Sequence, residues 1–173
     1  FDLSARFVNI VPDQVDLEIE SALRQILEFF QVDRCGLVRV SAHDNSFRIS
    51  HVAYASDVPP VPENTDLSLN LFPWVHKKLI QQHEVLSFTT RDELPSEAAV
   101  DKQTYEELKI RSALNIPIPL GTALDYIISI NAVRKNRAFP EEYNPRLRLL
   151  GEVLVNALKL ARTQQQLEDR LRF

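Results

Sequence analysis

Cysteine and glycine are scarce in this chain, and long apolar runs are missing. The single cysteine, Cys35, excludes an intramolecular disulfide and fits a reducing compartment, so a cytoplasmic location is expected. It lies in a stretch that reads as a buried strand, where a small hydrophobe is its expected role rather than a nucleophile. With 3 glycines a phosphate cradle is hard to build, and no Walker pattern is present. No apolar stretch approaches the ~18 residues of a membrane-spanning helix, so this segment is not expected to insert into a membrane. The opening residues, Phe1-Asp2-Leu3-Ser4-Ala5-Arg6, lack the basic-then-apolar pattern of a signal peptide. They open inside a helical pattern, as an internal segment of a longer protein would. A concentrated basic face is also lacking. The net charge is -4 and the cations are interspersed with acids, so no nucleic-acid partner is expected. The local excess Arg134-Lys135-Asn136-Arg137 reads as a loop after a strand.

What is present suits one ordinary globular domain: 173 residues, 45% apolar and 25% charged. Leu3, Phe7, Ile10 and Val11 share one helical face, and Pro12-Asp13 then breaks that helix and starts another. In the second helix Ile19, Leu23, Ile26, Leu27 and Phe30 form the expected buried stripe. Arg34 to Val40 has apolar residues at both parities, which predicts a central strand covered on both faces. After the turn signal Asp44-Asn45, Phe47, Ile49, His51 and Ala53 alternate with Arg48, Ser50, Val52 and Tyr54 as its hairpin partner. Pro59, Pro60 and Pro62 mark a loop. A helix follows, capped by Asn70 or Phe72, with Phe72, Val75 and Leu79 facing inward. Val85 to Thr89 is a short strand. Ser96 is expected to cap a helix reaching about Arg111, with Val100, Thr104 and Leu108 on one face and Tyr105 beside them. Ser112 to Leu120 and Asp125 to Val133 are the last strands, joined by a turn that begins at Gly121-Thr122. Pro117 and Pro119 lack N–H donors, so their strand should approach an edge or a bulge there.

The stretch Asn144 to Phe173 closes the chain. Asn144 is the expected N-cap and Pro145 the first helical residue. Leu147, Leu150, Leu154 and Ala161 mark one apolar stripe, and Val153, Ala157, Leu160, Leu167 and Leu171 a second. One face can pack on the domain and the other on a second helix. The division expected is a sensor domain over 1–143 and a signalling and dimerisation helix over 144–173. Leu150, Val153, Ala157, Leu160 and Leu167 are the expected seam of a homodimer.

The order of elements implies an α+β fold: a central antiparallel five-stranded sheet, with the terminal helices on one face and the middle helices and loops on the other. That order, with particular residues, resembles a GAF domain, PAS-related in architecture, over nearly the whole chain. Asp33-Arg34-Cys35-Gly36-Leu37 looks like the family's first strand. Arg111-Ser112-Ala113-Leu114-Asn115-Ile116-Pro117-Ile118 looks like its strand that begins with Ser and ends in a Pro-bearing run. Asn131-Ala132-Val133 through Phe139-Pro140-Glu141-Glu142 looks like its last strand and the acidic start of its closing helix. Arg146-Leu147-Arg148-Leu149-Leu150-Gly151-Glu152 is similar to GAF domains of bacterial sensor histidine kinases and signalling regulators. The resemblance implies a non-catalytic sensory domain of a signal-transduction protein, a two-component histidine kinase first among them. Such a domain binds a small molecule of unknown identity and relays to an output domain in the same chain. The alternatives are a dimerisation spacer that binds nothing, and the input domain of a transcription activator.

The chemistry that the resemblance brings to mind is mostly unsupported by the residues. Cyclic-nucleotide relatives carry Asn-Lys, then Phe, then Asp-Glu; here Ala132 follows Asn131, and Pro140-Glu141-Glu142 follows Phe139. Bilin-binding relatives need a cysteine anchor, and Cys35 on the first strand is badly placed for one. Methionine sulfoxide reductases need several redox cysteines. His43, His51, His76 and His83 show no ligand-pair spacing, His83-Glu84 lacks the second histidine of a zinc protease, and no Ser/His/Asp spacing appears. No cofactor is assigned. A pocket remains: Asn115, Ser129 and Asn131 put polar groups on a covered sheet face, where they need partners. Trp74 and Tyr105 are the expected aromatic walls.

Overall fold

The computed structural model describes residues 11–41, 43–61, 66–120 and 124–172. The first expected helix, from Leu3, lies outside these residues apart from Val11, as do Pro62 and the turn at Gly121-Thr122.

A 3-10 turn, Pro12–Gln14, leads into α1, Val15–Phe30. Val15, Ile19, Ala22, Leu23, Ile26 and Leu27 are buried along one stripe, at the 3.6-residue period read from the sequence. Asp16 and Glu18 sit in its first turn, where the helix dipole favours negative charge. The helix stops at Gln31, which turns left-handed with φ 52°, while the Val32 N–H reaches back to the Leu27 carbonyl at 3.1 Å.

The strands are β1 Arg34–Ser41, β2 Ser46–Tyr54, β3 Asp66–Ser68, β4 Leu86–Phe88, β5 Ser112–Ile118 and β6 Leu124–Ala132. They form one antiparallel sheet in the order β3-β2-β1-β6-β5-β4. The sheet has six strands, not the expected five. The addition is β3, whose Leu67 pairs with Phe47 at the edge. Three residues are too few to show an alternating pattern, so β3 is invisible to periodicity.

Between β1 and β2 the register shifts. Leu37 pairs with His51 and Val38 with Ile49, so Ser50 is the extra residue of a bulge, and its hydroxyl donates to the Leu37 carbonyl at 3.0 Å. The bulge reverses side-chain parity. Phe47 packs with the core of one face and Ala53 with that of the other, so the single alternating face read for β2 is split. Pro117 comes where β4 has ended, since β4 pairs only with Ala113, Leu114 and Asn115.

Two short helices cover one face: α2 Pro73–His76, which widens into a π-helical turn over Lys77–Gln81, and α3 Ala99–Glu107. No local residue caps α2. The fully buried Asp101 carboxylate of α3 accepts from the Val75 N–H at 2.8 Å and the Trp74 N–H at 3.2 Å. An acid at a helix N-terminus satisfies its first donors and complements its dipole, so α3 holds α2 in place. The inward face of α3 is therefore Asp101, Thr104 and Tyr105, while Val100 is exposed, a correction to the expected face. Ser96 makes no cap, and α3 ends at Glu107.

The opposite face carries α1 and the long α4, Asn144–Leu171. Leu147, Leu150, Leu154, Val155, Leu158 and Ala161 bury against α1 and the sheet. Asn144 is not the cap: a 3-10 turn, Glu141–Tyr143, already feeds the helix, so Asn144 has helical dihedrals. Gly151 lies where α4 meets the sheet most closely. A Cβ there would stand 2.4 Å from Ile118 Cδ1 and 3.0 Å from Ile128 Cδ1. The terminal helices thus share one face of the sheet, and the middle helices the other.

Candidate functional site

Beneath α2 and α3 the sheet is not fully covered. A cavity of about 150 Å³ remains, open on one side. Its floor comes from alternate residues of three neighbouring strands. On β1 these are Arg34 and Val38, with Gly36 between them contributing no side chain. On β6 they are Ile127, Ser129 and Asn131, and on β5 Asn115. The register makes the polar members contiguous: Arg34 lies opposite Asn131, and Ser129 lies between Gly36 and Asn115. An aromatic chain runs beside them, of which Phe47, Phe72 and Tyr105 line the cavity. Phe47, Phe72, Tyr105 and Phe88 follow one another edge to face, with ring centroids 5.9, 5.2 and 5.0 Å apart.

Four of the expected site residues meet here: Tyr105, Asn115, Ser129 and Asn131 all line the cavity. Trp74 does not. Phe72, Val75 and Leu79 take the inward stripe, and Trp74 packs half-buried at the margin of the same core, under Lys78, whose Nζ stands 5.7 Å from the ring centroid. Burial pushes the Tyr105 hydroxyl well above its ordinary pKa, and the Asp101 charge adds to this, so it stays a protonated donor.

Arg34 is the residue that the strand pattern concealed. It is 6% exposed, yet its Nε has no hydrogen-bond partner. Burial pulls its pKa down, partly offset by Tyr54 and Asp33, but a guanidinium stays charged at neutral pH. A charged residue opening a strand that is apolar at both parities was the available signal. The adjacent Asp33 lends Arg34 its charge but gives its Nε no hydrogen bond. That carboxylate accepts from the N–H groups of Val133 (2.5 Å) and Arg134 (3.0 Å) and from Arg134 Nε (2.7 Å).

Other reactive groups sit elsewhere. Cys35 is completely buried on the α1 and α4 face, and burial pushes its thiol far up, which suppresses the thiolate. The structure does bring a histidine, a serine and an aspartate together, which spacing had not shown. His51 Nε2 is 2.7 Å from Asp16 Oδ1, and its Nδ1 is 2.9 Å from Ser50 Oγ. The Ser50 hydroxyl is committed to the Leu37 carbonyl, so the trio fastens α1 to the bulge of β2. No cluster of metal-ligating side chains occurs among the described residues.

The dimer residues divide. Leu150 and Ala157 are buried in the body, Val153 is partly buried against it, and Leu160 and Leu167 are exposed. Leu149 and Leu171 are exposed as well. At about 100° per residue Leu149, Val153, Leu160, Leu167 and Leu171 fall within one narrow stripe along α4. From Arg162 to Leu171 the helix continues with every residue exposed.

No protein-family model matches the sequence, and no curated protein does either. Solved structures do. The phycocyanobilin-bound GAF domain from a cyanobacterial phytochrome superposes with a TM-score of 0.69 at 13% identity, covering 88% of this chain and 87% of that one. The PixJ GAF domain of Thermosynechococcus elongatus, in its blue-light absorbing form, gives 0.65 at 15%, covering 98% and 95%. The phytochrome photosensory core module of Stigmatella aurantiaca gives 0.74 at 18%, covering 98% of this chain and 38% of that larger one. At such identities the likeness is one of architecture, and it covers the layers, the sheet and the closing helix together. The chain has the fold of a GAF domain.

Proposed function

We propose that this chain is the sensory input domain of a cytoplasmic signalling protein, a sensor histidine kinase being the preferred setting. In this reading a small molecule occupies the cavity under α2 and α3, and α4 carries the response to an output domain of the same protein. One observation supports it above the others. β5 and β6 hold Asn115, Ser129 and Asn131 on the cavity face and Ile118 and Ile128 on the other, against Gly151 of α4. A displacement of these strands therefore reaches the helix through direct contact. A ligand biases the helix only by binding one arrangement of the strands more tightly than another.

The cavity does not suit the bilin of the phycocyanobilin-bound neighbour. Its volume equals about five waters at ~30 Å³ each, far less than a tetrapyrrole needs. Cys35, the only thiol, faces the opposite side of the sheet.

The output end of the reading is a pair of α4 helices. The stripe Leu149, Leu160, Leu167 and Leu171, with Val153 half-buried within it, is apolar and exposed, and part of it lies beyond the body. A second copy covers such a stripe by packing helix on helix. The protein should be a dimer by light scattering. Replacing Leu160 and Leu167 together with Glu should give a folded monomer with unchanged circular dichroism. A wild type that stays monomeric at high concentration, or a dimer indifferent to both substitutions, contradicts the reading.

A further inference from the structure

Among its described lining residues the cavity holds one permanent cation, Arg34, and no acid, and most of the rest are aliphatic or aromatic. A buried guanidinium whose Nε lacks a hydrogen-bond partner is unfavourable, because burial removes water from that N–H and no hydrogen bond replaces it. Natural folds keep such a group where something else completes it. The carboxylate adjacent in sequence, Asp33, is hydrogen-bonded by Val133 and Arg134. The polar groups closest to Arg34 by register are neutral and carry donors, the amide of Asn131 opposite it and the hydroxyl of Ser129 in the next row, while the Asn115 side chain is hydrogen-bonded to Tyr105. A cation with neutral donors in its own and the next row of the sheet is the complement of an anion with more than one oxygen.

The walls restrict which anion fits. Phe47, Ile49, Phe72, Val75 and Ile127 present apolar surface to whatever the Arg34 end holds. A second negative charge would find no second cation there. An ammonium group would find no carboxylate. The volume of about 150 Å³ takes a molecule of roughly six to nine heavy atoms. We infer that this cavity is a site for a short aliphatic monocarboxylate without an ammonium group, its carboxylate on Arg34, Asn131 and Ser129 and its chain against the aromatic side chains. The inference rests on the ligand-binding half of the function proposed above and narrows it to a chemical class.

The test is titration of the protein by thermal shift and by NMR with straight and branched monocarboxylates of four to six carbons. 4-Methylpentanoate is the lead probe. Its neutral amide, its α-amino counterpart leucine and inorganic phosphate are the comparisons. The expected result is a Kd of about 1 mM or tighter for the best carboxylate. The amide, leucine and phosphate should each bind at least about tenfold more weakly. Arg34→Met should abolish the carboxylate response and leave the melting temperature of the unliganded protein equal or higher, since it removes a buried N–H that has no hydrogen-bond partner. Arg34→Lys should retain part of the binding.

Failure of every carboxylate to bind overturns the inference, as does equal binding by the amide or by phosphate. So does an Arg34→Met protein that melts lower or fails to fold, since Arg34 would then be a structural residue. The dimer measurement on Leu160 and Leu167 is independent of all these outcomes. If carboxylates fail while the helix pairing holds, the ligand class is at fault and the sensory reading stands. If the pairing fails as well, both fall.

Discussion

Arg34 and Asp33 are adjacent in sequence and opposite in circumstance. Asp33 accepts three hydrogen bonds, one of which is also an ion pair, while the Arg34 Nε is buried without a partner. Burial alone would raise the Asp33 pKa. The backbone N–H bonds from Val133 and Arg134, with the Arg134 guanidinium, outweigh it and bring the net value below its ordinary one. A carboxyl whose folded pKa lies below its unfolded value of about 3.9 contributes stability that is complete above that value and is lost as the pH falls through the folded pKa. Asp33→Ala should destabilise the protein by about 2–4 kcal/mol at pH 7, chiefly by stranding two N–H groups, since the Arg134 side chain is exposed and its ion pair counts for little. The same variant should flatten the loss of stability below about pH 4. Urea denaturation across pH checks both. A variant as stable as the wild type would show that β6 and β1 do not depend on this bridge.

At the scale of elements, α4 lies close to the sheet because residue 151 has no side chain. Gly151→Leu would drive its Cβ into Ile118 and Ile128. Overpacking of this kind costs about 1–3 kcal/mol, more than the ~1 kcal/mol that a better helix former returns. Urea denaturation should show the loss, and a neutral or stabilising result would mean that α4 can ride away from the strands. Such elements were legible to different degrees. α1, β5 and β6 could be read because each obeys one period over seven residues or more, and β1 because apolar residues at both parities mark a strand covered on both faces. β3 has three residues, and β2 hides a bulge at Ser50, which no local pattern announces. The cap of α2 is Asp101, distant in sequence, so a search for caps next to Asn70 or Phe72 could not find it. Asn144 looked like a cap because the 3-10 turn before it could not be foreseen.

The whole molecule is a sheet with two different tasks on its two faces. The candidate site was half legible for that reason. Asn115, Ser129 and Asn131 stood out as polar residues at covered positions of strands with a firm parity. Arg34 did not, because the first residue of a strand is ordinarily where charge escapes to water. Its burial is a consequence of the tertiary setting alone. Trp74 has the chemistry of a pocket wall, but its place on α2 keeps it at the margin of the core and out of the cavity lining. In α4, Leu150 and Ala157 belong to the body and Leu149 to the exposed stripe, a shift of about 100° that depends on how closely Gly151 seats the helix.

The central claim is that the cavity on one face and α4 on the other respond together through β5 and β6. Amide hydrogen exchange along the chain, with and without a saturating 4-methylpentanoate, tests it directly. The account predicts slower exchange in β1, β5 and β6 and a change of protection in α4 around Gly151, although no residue of α4 lines the cavity. Protection confined to the cavity strands and to α2 and α3, with α4 exchanging as before, would contradict it.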